Sequence, residues 1–104
     1  MEILHITKDN FESEVLASPV PVLLDFFATW CGPCRALAPV LQQVADEVVG
    51  IRVAKVDVDE APDLAQKFGI MTVPTLVVIK DGAEVRRASG VRPKAALIAL
   101  VFGE

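Results

Sequence analysis

Val22-Leu23-Leu24-Asp25-Phe26-Phe27-Ala28 runs through Thr29 into Trp30-Cys31-Gly32-Pro33-Cys34. Residues 20–28 form an almost continuous apolar run, the pattern of a strand buried on both faces of a sheet. One charge, Asp25, interrupts it. Pro33 suits the first turn of a helix, where a missing N–H costs nothing. Leu37, Val40, Leu41, Val44 and Val48 then recur at helical spacing, predicting a helix to about Val49 that Gly50 ends. Pro39 inside that pattern predicts a kink. A buried strand feeding directly into a long helix is the start of a βαβ unit.

Working outward, residues 1–6 read as a short strand. Thr7 or Asp9 can cap a helix carrying Phe11, Val15 and Leu16, which Pro19 and Pro21 end. Residues 51–58 alternate as a strand, and Pro62 opens a short helix with Leu64, Ala65 and Phe68, closed by Gly69. Residues 75–80 and 83–89 form a hairpin about Asp81-Gly82. Pro93 starts a last helix through Phe102. The order β-α-β-α-β-α-β-β-α predicts an α/β fold: a mostly parallel sheet with helices on both faces and antiparallel strands at one end. With no linker, repeat or low-complexity tract, residues 1–104 are expected to form one domain.

Composition narrows the function. With 104 residues, 53% of them apolar, the chain can bury a core without metal or staples. A net charge of −4 and an isoelectric point near 4.9 argue against a nucleic-acid partner. The densest basic pair, Arg86-Arg87, sits in a strand-like stretch and reads as a solvated edge. The longest apolar run, residues 95–102, is far short of the roughly 20 residues of a membrane span. The first ten residues lack the basic start and apolar stretch of a secretory signal, so a cytoplasmic location is expected. Two cysteines are too few for a disulfide scaffold, which leaves chemistry as their role.

In Cys31-Gly32-Pro33-Cys34 a helical i, i+3 spacing puts both sulfurs on one face, within bonding reach. Cys31 falls at the helix start, where unpaired N–H groups and the positive dipole end favour thiolate; Cys34, one turn in, is expected to be more shielded. Three inert readings stand beside the redox one. Half a zinc site is the first, though only His5 could join the cysteines. A structural bridge across so small a loop would stabilise little. Buried inert thiols are the third, although Gly32 and Pro33 favour exposure. A CxxC beside a βαβ pattern is a redox signature. Trp30 and Pro74, taken singly, read as packing and as a strand-start proline. Asp25 differs: a lone carboxylate in an apolar run costs several kcal/mol unless paired or protonated, so it asks for a functional reason.

Across nearly its whole length the chain resembles the thioredoxin family. The resemblance rests on residues 25–34, on Pro39, on Val53-Ala54-Lys55-Val56-Asp57, on Val73-Pro74-Thr75, and on Lys80-Asp81-Gly82 and Gly90. It implies a central sheet of about five strands flanked by four helices, and reduction of disulfides in other proteins. It implies no bound cofactor or metal, electrons arriving from NADPH through a flavin-containing thioredoxin reductase, and a monomer. By the same resemblance Cys31 is the nucleophile, Cys34 the resolving thiol, Asp25 the proton acceptor and Lys55 the neighbour that tunes it. Gly32 and Pro33 mark the reducing type, whereas oxidants tend to carry histidine between the cysteines. Pro74 is implied to be a cis-proline, leaving Val73 to pair with an extended substrate. Trp30, Met71, Val73 and Val91 are expected to form an apolar apron around Cys31. A thiol oxidant or isomerase on the same fold, or a binding subunit using that apron, are the alternatives. Phe27 stands where the family very often has a second tryptophan, and Arg35 replaces the more frequent lysine.

Overall fold

The computed structural model describes residues 2–104. Strand β2 (Val22–Phe27) is the middle of a five-stranded sheet of order β1-β3-β2-β4-β5, with β1 at Leu4–His5, β3 at Arg52–Asp57, β4 at Thr75–Lys80 and β5 at Ala83–Ser89. Parallel ladders join β1 to β3 and β3 to β2, whereas β2–β4 and β4–β5 pair antiparallel. The strand β4 therefore runs against the other four. Between the strands lie a π-helical turn (Glu12–Leu16) and helices α1 (Gly32–Glu47), α2 (Pro62–Lys67) and α3 (Lys94–Phe102).

Side chains alternate across a strand, so β2 serves two cores. Val22, Leu24 and Phe26 pack with Phe11, Val15, Leu64, Val77 and Ile79, under the π-helical turn and α2. Leu23 faces the other way, onto Leu37, Leu41, Val44, Leu76, Leu97 and Val101, under α1 and α3. Asp25 shares the parity of Leu23 and so points to the α1 side. The apolar run is explained by burial on both faces, as its lack of alternation implied.

Several boundaries differ from expectation. The first strand is confined to Leu4–His5, and Met1 lies outside the described residues. Neither Thr7 nor Asp9 caps the next helical segment. The Thr7 hydroxyl instead accepts from the Asp9 amide at 3.2 Å and the Thr7 carbonyl from the Phe11 amide at 3.0 Å, so Thr7 caps the turn that leads into that segment. The segment closes as a π-helical turn, with the Ala17 amide donating to the Glu12 carbonyl at 2.9 Å. Helix α1 continues through Pro39 but stops at Glu47, short of the expected Val49. Val48 turns extended at ψ 120°, and Val49 is 90% exposed with no core to hold it in a helix. The hairpin is as expected: Asp81 and Gly82 take φ of 52° and 79°, both left-handed, as a two-residue turn between twisted strands demands.

Candidate active site

The end of β2 delivers Ala28 to Cys31 to the start of α1, and Cys31 is its N-cap. Its extended backbone (φ −88°, ψ 112°) turns the sulfur back over the first helical turn, where the Cys34 amide donates to it at 3.2 Å. The two sulfurs are disulfide-bonded, with Cα atoms 5.3 Å apart. A capping thiolate here would meet an N–H donor and the positive end of a 16-residue helix. The expected difference in shielding is absent: Gly32 and Pro33 are exposed, yet Cys31 is 5% and Cys34 4% exposed. Ala28, Phe27, Val58 and Val73 close around both sulfurs. What distinguishes the cysteines is their surroundings. Cys31 faces Val73, whose carbonyl oxygen lies 3.7 Å from its sulfur. Cys34 faces a cleft of about 370 Å³ that it lines with Asp25, Phe27, Ala38 and Lys55.

Asp25 is 4% exposed, and its Oδ1 has no hydrogen-bond partner among the described residues. Loss of water from the ionised carboxylate pushes it up to about 7, with the Lys55 ammonium pulling the other way. The register explains the pairing: Asp25 on β2 stands opposite Lys55 on β3 and Leu76 on β4. The sheet thus brings a buried carboxyl and an exposed ammonium to one cleft beside Cys34.

Val73–Pro74 is cis, and the loop is tied down behind it. The Thr75 hydroxyl donates to the Thr72 carbonyl at 2.7 Å, and the Gly90 amide to the Pro74 carbonyl at 2.9 Å. Pro74 itself is buried, so it shapes the rim from beneath. Trp30, Met71 and Val73 line one groove of about 190 Å³, completed by Val58, Ala65, Ile70 and Thr72. Val91 is 52% exposed but lines no part of that groove. The residue that sequence reading missed is Asp59, whose Oδ2 accepts from the Trp30 indole N–H at 2.9 Å and holds a side chain that is 68% exposed. Nothing local signals this contact, since 29 residues separate the partners.

Among the described residues no cluster of three or more His, Cys, Asp or Glu side chains is placed to hold a metal ion. The sheet, the helix that Cys31 caps and the paired sulfurs define a thiol–disulfide oxidoreductase. The Thioredoxin family model matches residues 2–102, and the chain belongs to the thioredoxin family. It is 47% identical over 96 residues to a thioredoxin of Mycobacterium bovis, covering 91% of this chain and 83% of the relative. A thioredoxin of Haemophilus influenzae is 44% identical over 97 residues, covering 92% and 91%. A bifunctional thioredoxin reductase/thioredoxin of Mycobacterium leprae is 44% identical over 96 residues, covering 91% of this chain and 21% of that longer protein. On this fold, a cysteine pair at disulfide distance makes the chain a protein disulfide reductase.

Proposed function

We propose that residues 1–104 work as a single, monomeric cytoplasmic domain that reduces protein disulfides through a Cys31–Cys34 relay with Asp25 as its base. The observation that carries the reading is the helix-capping position of Cys31, whose sulfur accepts the Cys34 amide. In the reduced protein that donor and the helix dipole favour the Cys31 thiolate. The thiolate attacks one sulfur of a target disulfide; a mixed disulfide forms, and the first target thiolate leaves and takes up a proton. Cys34 then gives its proton to Asp25, attacks the Cys31 sulfur, and displaces the second target thiolate, which takes up a proton as Asp25 gives up its own. Two electrons have passed to the target, and Cys31–Cys34 is left oxidised.

A carboxyl held at about 7 suits this role, because a base works best when it titrates near the operating pH. Lys55 keeps Asp25 from rising further. Trp30, Met71 and Val73 offer apolar contact to the target beside the attacking sulfur, with Val91 at a separate exposed position. Val73 would pair with an extended target segment. Gly32 and Pro33 are the small, rigid spacer of a reductant. Electrons would return from NADPH through a flavin-containing thioredoxin reductase, a partner suggested by the relative named for both activities.

The test combines the purified chain with insulin, NADPH and a thioredoxin reductase, and follows NADPH consumption. Steady oxidation of NADPH that depends on both cysteines is expected. Failure to reduce insulin, or a dithiol form more stable than the disulfide form, would overturn the reading in favour of a thiol oxidant.

A further inference from the structure

The Phe27 ring has two neighbourhoods. One side packs with Ala28, Cys31 and Cys34. Over the ring lies the ammonium of Lys55, 5.7 Å from its centroid, inside the reach of a cation–π attraction. Lys55 is otherwise exposed, and no ion pair holds it among the described residues. A lysine with four rotatable bonds and no ion pair to fix it would spread its charge over many positions in water. The ring supplies a preferred one, and Phe27, Lys55, Asp25 and Cys34 all border the same cleft. The groups that face Asp25 are few: Lys55 from β3, Cys34 from α1 and Glu2 at the cleft's edge, while β4 offers the uncharged Leu76.

We propose that Phe27 is a positioning residue: its ring holds the Lys55 ammonium at the mouth of the Asp25–Cys34 cleft and so sets how readily Asp25 takes up the Cys34 proton. The proposal rests on Asp25 being the proton acceptor. An exposed cation–π contact biases the lysine roughly two- to fivefold toward the ring. Without it the ammonium spends more time in solvent, its pull on Asp25 weakens, and the carboxyl titrates higher.

The experiment follows the Asp25 carboxyl carbon by NMR across pH 5–10 in the reduced protein. Phe27→Leu is expected to raise the midpoint by about half a unit, and Phe27→Trp to restore it. In a Lys55→Met background, where the midpoint is already raised, Phe27→Leu is expected to add nothing. An unchanged midpoint in Phe27→Leu, an equal rise with and without Lys55, or failure of Phe27→Trp to restore it would each overturn the proposal. A second measurement needs no variant. The methylene protons next to the Lys55 ammonium should be shifted upfield by the ring in the unaltered protein, and their resonance at ordinary lysine positions would also overturn it. The rate at which Cys34 resolves a mixed disulfide is read on the same samples. If the Asp25 midpoint moves as expected while the pH profile of resolution stays put, the positioning stands and Asp25 is not the base.

Discussion

The backbone amide of Cys34 donates to the sulfur of Cys31 across 3.2 Å, so one member of the redox pair caps the helix that carries the other. The relationship is one-way. Cys31 gains a donor and the helix dipole, while Cys34 lies inside the first turn, toward the cleft of Asp25.

That asymmetry separates the two serine variants. Cys31→Ser is expected to abolish insulin reduction. Cys34→Ser is expected to accumulate covalent mixed disulfides with target proteins, visible on non-reducing gels. Equal trapping by both variants would refute the division of labour.

Asp25 makes stability depend on pH. Its carboxyl titrates at about 7 in the folded chain against an ordinary 3.8, so the folded state binds the proton more tightly than the unfolded state. The stability associated with the neutral carboxyl is complete below 3.8 and is lost as pH rises through about 7. The full loss is about 4 kcal/mol at most. Asp25→Ala removes this loss but leaves a small cavity, and a net gain of about 2 kcal/mol at pH 8 is expected. Urea denaturation from pH 4 to 9 reads it, and a variant less stable than the parent at pH 8 would contradict the burial argument.

The same substitution is expected to slow resolution. With Asp25 gone, Cys34 must lose its proton to solvent, at a cost of about a hundredfold, the low end of what a positioned base contributes. The deficit is expected to be widest near pH 7 and to narrow toward pH 9, where hydroxide can take the proton instead. Rapid-mixing measurements of mixed-disulfide decay show this directly. Unchanged decay at pH 7 would leave Asp25 a structural residue.

Asp59 restrains Trp30 beside the dithiol, although both side chains are solvated. Asp59→Ala is expected to raise the KM for insulin about threefold, the scale of one hydrogen bond in water. Exchange with small thiols, which need no docking surface, should stay at the parent rate. A fall in both rates together would place Asp59 in the chemistry instead.

Arg86 joins β5 to the end of α3, its Nε donating to the Leu100 carbonyl at 2.7 Å and its terminal nitrogen to the Val101 carbonyl at 2.9 Å. These are orphan carbonyls of a helix C-terminus, where a cation is favoured. Arg86→Met is expected to cost about 1–2 kcal/mol of stability while leaving insulin reduction unchanged. Denaturation midpoints equal to those of the parent would show that water replaces the guanidinium without loss.

Much of this architecture is local information. The order of strands and helices follows from the unbroken apolar run of β2, the helical spacing of Leu37, Leu41 and Val44, and the left-handed Asp81-Gly82 turn. The position of Cys31 at a helix start follows from Pro33 and the strand before it, and Asp25 stands out because burying a lone charge is costly. Each of these signals spans a few residues, the range over which backbone dihedrals and side-chain periodicity act. Tertiary structure decided the rest. The end of α1 at Glu47 depended on whether Val49 met a core, and it met solvent. The approach of Val73 to Cys31 spans 42 residues and the hold of Asp59 on Trp30 spans 29. The cleft shared by Asp25, Lys55 and Cys34 exists because β2 and β3 pair in one register, and a slip of one residue would turn Lys55 to the other face. Register is chosen by the packing of both cores at once, so no single segment of the chain contains it.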